Sequence, residues 1–166
     1  WVRIYRIDDS TPGGTPTLLA STASTAPSPD MNDLVRTRLL HAPAAGPADV
    51  LSADGYLFAT PENLAAMSGL LKDFFDRCYY AALDRVNGRP YGTLICAGSD
   101  GSGAARQIAR IATGWRLKPV ADPLIVCTHA QTPEAILRPK VIAATDLARC
   151  AERGALLATG LALGIL

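Results

Sequence analysis

Three short runs, apolar almost without interruption, constrain this chain more than any other feature: Gly55 to Ala59 (GYLFA), Gly92 to Ala97 (GTLICA) and Pro123 to Cys127 (PLIVC). A run of strand length with no polar face suits a strand covered on both sides, as in a parallel sheet flanked by helices. Two further segments, Val2 to Ile7 (VRIYRI) and Leu34 to Leu40 (LVRTRLL), alternate apolar and basic or polar residues, which suits strands with one covered face.

Amphipathic stretches separate these runs. Leu64, Met67, Leu71, Phe74, Phe75, Cys78 and Ala82 recur every three or four residues and predict one face of a helix, with Lys72, Asp73, Asp76 and Arg77 opposite. Ala104, Ile108, Ile111, Ala112 and Trp115 form a second stripe, and Leu147, Ala151, Gly154, Ala155 and Ala158 a third. A weaker helix is expected from Thr15-Pro16 to Ala26, within a stretch rich in Ser, Thr, Pro and Gly. Strand and helix therefore alternate, which predicts an α/β three-layer sandwich, one domain over residues 1–166. Its five-stranded parallel sheet should take the order 2-1-3-4-5, with a ligand crevice at the carboxyl ends of the strands near the switch point.

Composition removes several classes of function. A net charge of +1 and 6% aromatic residues provide neither an electrostatic footprint for nucleic acid or an anionic membrane nor stacking platforms for single strands. No apolar stretch approaches the roughly 20 residues that span a bilayer. Cys78, Cys96, Cys127 and Cys150 form no C-x-x-C pair and have no histidine at ligand spacing, so the usual zinc arrangements and a disulfide scaffold are not expected, and a cytoplasmic setting is. The G-x-S-x-G nucleophile elbow is absent, and His41 and His129 read as hydrogen-bonding residues at strand ends.

Three loops frame the expected crevice. Ser10, Thr11, Gly13, Gly14 and Thr15 follow the first strand and open a helix; hydroxyls and free amides at a helix start can hold a phosphate without lysine. Thr60, Pro61, Glu62, Asn63 and Leu64 follow the third strand. Gly98, Ser99, Asp100 and Gly101 follow the fourth, where glycines permit close backbone approach. Each alone also reads as an ordinary turn or helix start.

The second loop and the helix after it, T-P-E-N-L with G-L-L-K-D-F-F-D downstream, resemble the T-P-E-Y-N…G-x-L-K-x-x-x-D region of the flavodoxin-like NAD(P)H-dependent FMN reductases and related quinone reductases. The resemblance implies FMN as cofactor, with the second and third loops at the flavin ring and the first at its phosphate. It also implies NAD(P)H as electron donor, a quinone or other small molecule as acceptor, and self-association that completes the pocket. Because a flavin carries the chemistry, no acid–base side chain is required. Two departures stand out: the family's tyrosine between Glu62 and Asn63 is missing, and Asp8 and Asp9 precede a first loop interrupted by Pro12. A carboxylate about 7 Å from a dianionic phosphate repels it by roughly 1 kcal/mol at the dielectric of water and about 5 at an effective value of 20. The alternative reading is a flavodoxin-like domain that has lost tight flavin binding and acts as an interaction module.

Overall fold

The computed structural model of the protein describes residues 2–7 and 34–166. Its strands are β1 (Val2–Ile7), β2 (Val35–Leu40), β3 (Gly55–Asn63), β4 (Ala66–Met67), β5 (Pro90–Ala97), β6 (Lys118–Pro119) and β7 (Leu124–Cys127). Its helices are α1 (Pro47–Ser52), α2 (Gly69–Ala82), α3 (Ser102–Gly114), α4 (Pro133–Leu137) and α5 (Ala144–Ala162), with a 3₁₀ turn at Ala42–Ala44. The five expected strands are β1, β2, β3, β5 and β7, and they lie side by side in the expected order; β4 and β6 are short additions.

One expectation is corrected. The sheet is mixed, because β1 runs antiparallel to both neighbours: Val2 sits opposite Leu40 and Phe58, and Ile7 opposite Val35. β3, β5, β6 and β7 are parallel as expected. Strand β1 therefore ends at Ile7 beside the amino ends of β2 and β3, at the opposite end of the sheet from Thr60 and Gly98. The expected phosphate loop (Ser10, Thr11, Gly13, Gly14, Thr15), Asp8, Asp9 and the helix expected up to Ala26 lie outside the described residues.

Alternation along β3 splits the core in two. Tyr56 and Phe58 face α1, α2 and α3 and join Phe74, Phe75, Ile108 and Trp115 in the larger cluster, while Leu57 faces α5 and meets Leu157, Ala158 and Leu161. The larger side is aromatic: Phe58 packs edge-on against Phe75 with ring centroids 5.0 Å apart, and Phe75 against Trp115 at 5.3 Å. The α2 stripe buries Leu71, Phe74, Phe75, Cys78 and Ala82, with the ion pairs Lys72–Asp76 and Asp73–Arg77 on its outer face. Met67 belongs to β4 instead, and Leu64 to the turn before it.

Arg89 closes the end of α1. The Nη1 of its guanidinium lies among the carbonyls of Val50 (2.9 Å), Leu51 (3.0 Å) and Ala53 and the Tyr56 hydroxyl (3.0 Å) and shares its two protons among them, serving acceptors that a helix terminus leaves open. Replacing Arg89 by methionine keeps the stem but removes the donor to the Leu51 and Ala53 carbonyls, while Val50 keeps the Tyr56 hydroxyl (2.7 Å). The Arg89→Met protein should lose roughly 1.5–3 kcal/mol in denaturant unfolding, the range for hydrogen bonds to a charged group.

Burial also sets the response to alkali. It pushes the Cys78 thiol up to about 11 and raises Cys96, Cys150, Tyr56 and Tyr91, outweighing the opposing influence of Arg89 on Tyr56. Above the thiol's ordinary value of 9.0, the unfolded chain releases protons that the folded chain retains. Stability should therefore be level up to about pH 9 and fall as pH rises towards 11. Urea midpoints across that window test this, and Cys78→Ala should remove part of the slope.

Candidate functional site

The carboxyl ends of β3, β5 and β7 form one rim of the sheet, and the second and third sequence loops meet there. The second is not a loop at its start: β3 continues through Thr60, Pro61 and Glu62 to Asn63, with Pro61 still paired to Cys96 of β5. Beyond Asn63 the chain reverses through Leu64 and Ala65 into β4, where Glu62 faces Met67 and Asn63 faces Ala66. Helix α2 begins only at Gly69, capped by Ser68, whose hydroxyl accepts from the Leu71 amide (3.4 Å).

Five hydrogen bonds and one close backbone approach fix this hairpin. Glu62 turns its carboxylate onto the amino end of α3, accepting from the Gly101 amide (3.0 Å) and the Ala104 amide (2.8 Å). Such donors suit an anion, because helix-terminal amides lack partners and carry the positive end of the dipole. Buried Thr60 donates to the Pro61 carbonyl (2.9 Å) and accepts from the Ser68 amide (3.0 Å). The Met67 amide donates to Gln107 Oε1 (2.9 Å). Gly103 leaves room for the Ala65 carbonyl, which would lie 2.1 Å from a Cβ placed there.

The third loop is tied down as firmly. Gly101 sits at φ 79°, and a Cβ there would lie 2.5 Å from Ile125 Cγ2. A Cβ on Gly98 would lie 3.0 Å from the Ala130 carbonyl oxygen, so the segment leaving β7 closes on this loop. Asp100 accepts from the Ser102 amide (3.2 Å) and from the Ser102 hydroxyl, and the Cys127 thiol donates to the Ser99 carbonyl (3.1 Å).

The structure thus brings Thr60, Pro61, Glu62, Asn63 and Leu64 together with Gly98, Ser99, Asp100 and Gly101. Pro61, Asn63, Leu64, Ser99 and Asp100 are exposed along the rim, whereas Glu62 is spent holding the two segments together. Sequence reasoning missed Ser68, Gly103 and Gln107 as parts of this frame. Serine just before the Leu71 stripe is a cap signal that could have found the first; the other two act across long separations in the chain. His41 and His129 lie exposed just past β2 and β7. Among the described residues no cluster of potential ligands could hold a metal ion, and no helix is long and apolar enough to cross a membrane.

The sequence model of one family, described as NADPH-dependent FMN reductase, matches residues 42–131. That is more than half of the chain, and it includes both rim segments. The chain belongs to the NADPH-dependent FMN reductase family. No curated protein matches it. Among solved structures it is similar to a flavodoxin, WrbA-like protein from Agrobacterium tumefaciens, with 16% identity and a TM-score of 0.55 over 72% of each chain. It is also similar to rubredoxin oxygen:oxidoreductase from Desulfovibrio gigas (14% identity, TM-score 0.57, 75% of this chain and 28% of that one). A flavodoxin from the domain Archaea matches at 14% identity and a TM-score of 0.54, over 72% of this chain and 73% of its own. The fold is flavodoxin-like, the protein is a flavin-dependent oxidoreductase, and FMN is the cofactor with NAD(P)H as donor. The rim suits that group through its exposed residues, with Pro61 and Asn63 on one segment and Ser99 and Asp100 on the other, while Gly98, Gly101 and Gly103 are packed against Ala130, Ile125 and Ala65 and set the spacing between the segments.

Proposed function

We propose that the protein passes electrons from NAD(P)H, through FMN held at the rim, to a quinone or other small acceptor. The observation that carries this reading is the Glu62 clamp, which locks together the two segments that the family match spans. FMN, when bound, supplies the hydride and electron chemistry. The chain supplies position: Thr60 to Asn63 form a rigid ledge, and Gly98 to Gly101 a close-packed floor whose exposed Ser99 and Asp100 meet the polar part of the ligand. Ser10 to Thr15 are the proposed phosphate contacts.

Self-association is part of the proposal, supported by the apolar outer end of α2, where Tyr79 and Tyr80 meet edge-on (ring centroids 5.1 Å) and are 43% and 83% exposed beside Leu83. Four free thiols support a reducing, cytoplasmic setting. A second reading, an interaction module without tightly held flavin, is favoured by the direction of β1, which ends at the far side of the sheet from the rim.

The test is a fluorescence titration with FMN, followed by NADPH oxidation with 1,4-naphthoquinone or ferricyanide as acceptor. Saturable FMN binding with acceptor-dependent NADPH oxidation is the expected result. Failure to bind FMN would leave the second reading standing, and binding without turnover would refute both.

A further inference from the structure

The two residues that turn β3 into β4 are Leu64 and Ala65, between the Asn63–Ala66 pair. The type I′ hairpin turn, one of the two that match strand twist, places both central residues at positive φ, which is why Asn-Gly and Asp-Gly dominate it. Here leucine and alanine adopt it, at φ 52° and 58°, although a Cβ in this region crowds the following carbonyl. The surroundings impose it: the Glu62 carboxylate, Gln107 and Thr60 grip the hairpin legs, and Gly103 admits the Ala65 carbonyl.

The outcome is a leucine held wholly in water, 102% exposed, directly after the Thr60 to Asn63 ledge. Leucine suits neither the turn nor the solvent. The exposure is resolved if the tip meets an apolar molecule arriving at the flavin site, and backbone strain kept at a rigid site is the pattern expected of a functional element. Across the rim, the segment leaving β7 abuts the Gly98 loop at Ala130.

We infer that Leu64 is a specificity-determining residue: the strained hairpin presents it as a fixed apolar contact for a planar, apolar acceptor of the quinone type. This rests on the oxidoreductase reading above. A small hydrophilic acceptor gains nothing from such a contact.

The test installs the residues the turn prefers, as the double variant Leu64→Asn with Ala65→Gly. It should unfold at a higher temperature than the parent and still bind FMN, and its FMN dissociation constant is measured beside the parent's. Its kcat/KM for 1,4-naphthoquinone relative to that for ferricyanide should fall about tenfold, the loss expected when part of a leucine contact is removed. Binding of 1,4-naphthoquinone to the oxidised, donor-free holoprotein should weaken by a similar factor, while Leu64→Met should keep the parent's ratio. An unchanged ratio in the folded double variant would overturn the inference. A matching rise in the FMN dissociation constant would also overturn it, making Leu64 a cofactor contact. A parent that binds FMN but reduces neither acceptor would instead refute the oxidoreductase reading, and that is seen without any variant.

Discussion

Truncating Phe74 to alanine should cost roughly 3–5 kcal/mol in denaturant unfolding, the range for emptying a fully buried aromatic site. Phe74 is 0% exposed at the middle of α2, and its ring lies 5.4 Å from Phe75, 6.3 Å from Trp115 and 6.4 Å from Phe58. These neighbours come from the same helix, from the end of α3 and from the sheet, so none can collapse into the void without moving an element. Domains of ordinary size have about 5–15 kcal/mol in total, so the variant should be near its unfolding threshold at ambient temperature. The same helix starts at Ser68, which Thr60 holds, so FMN binding should weaken as the α2 start loosens. A loss under about 1 kcal/mol would show that the aromatic cluster does not bear on stability as its burial implies.

The parts of the fold that were legible in the sequence are those where burial leaves a local pattern. The runs at Gly55, Gly92 and Pro123 read as covered strands because both faces are apolar, and β3, β5 and β7 are covered by helices on both sides. The stripe through Leu71, Phe74, Phe75 and Cys78 read as a helix face and is one. The direction of β1 was not legible, since VRIYRI alternates identically whichever way it runs. Nor was the hairpin. Leu64 and Met67 fall by chance at helical spacing from Leu71, extending the apparent stripe by a turn, and Leu-Ala carries none of the glycine or asparagine signals of a tight turn. Pro61-Glu62 looked like the first turn of the helix that follows. Its acid does serve a helix start, but that of α3, some forty residues away, and no local pattern encodes such a contact.

That contact carries the largest expected effect on the site itself. Glu62→Ala would leave the Gly101 and Ala104 amides without their acceptor and remove an anion from the positive end of α3. Hydrogen bonds to a charged group contribute roughly 1.5–3 kcal/mol each, but water can reach part of this site and Asp100 still caps the Ser102 amide, so a total near 2–3 kcal/mol is expected in denaturant unfolding. The consequence for binding is larger in kind. Without the clamp, the Thr60 to Asn63 ledge and the Gly98 loop are no longer fixed relative to each other, and the cost of ordering them passes to the ligand. The FMN dissociation constant should rise at least tenfold, about 1.4 kcal/mol. Glu62→Gln keeps one accepting oxygen and should lie between the two proteins on both measurements. Stability lost without any change in FMN affinity would mean that the clamp does not organise the site. Affinity lost without any change in stability would mean that Glu62 touches the flavin and the clamp opens when FMN binds.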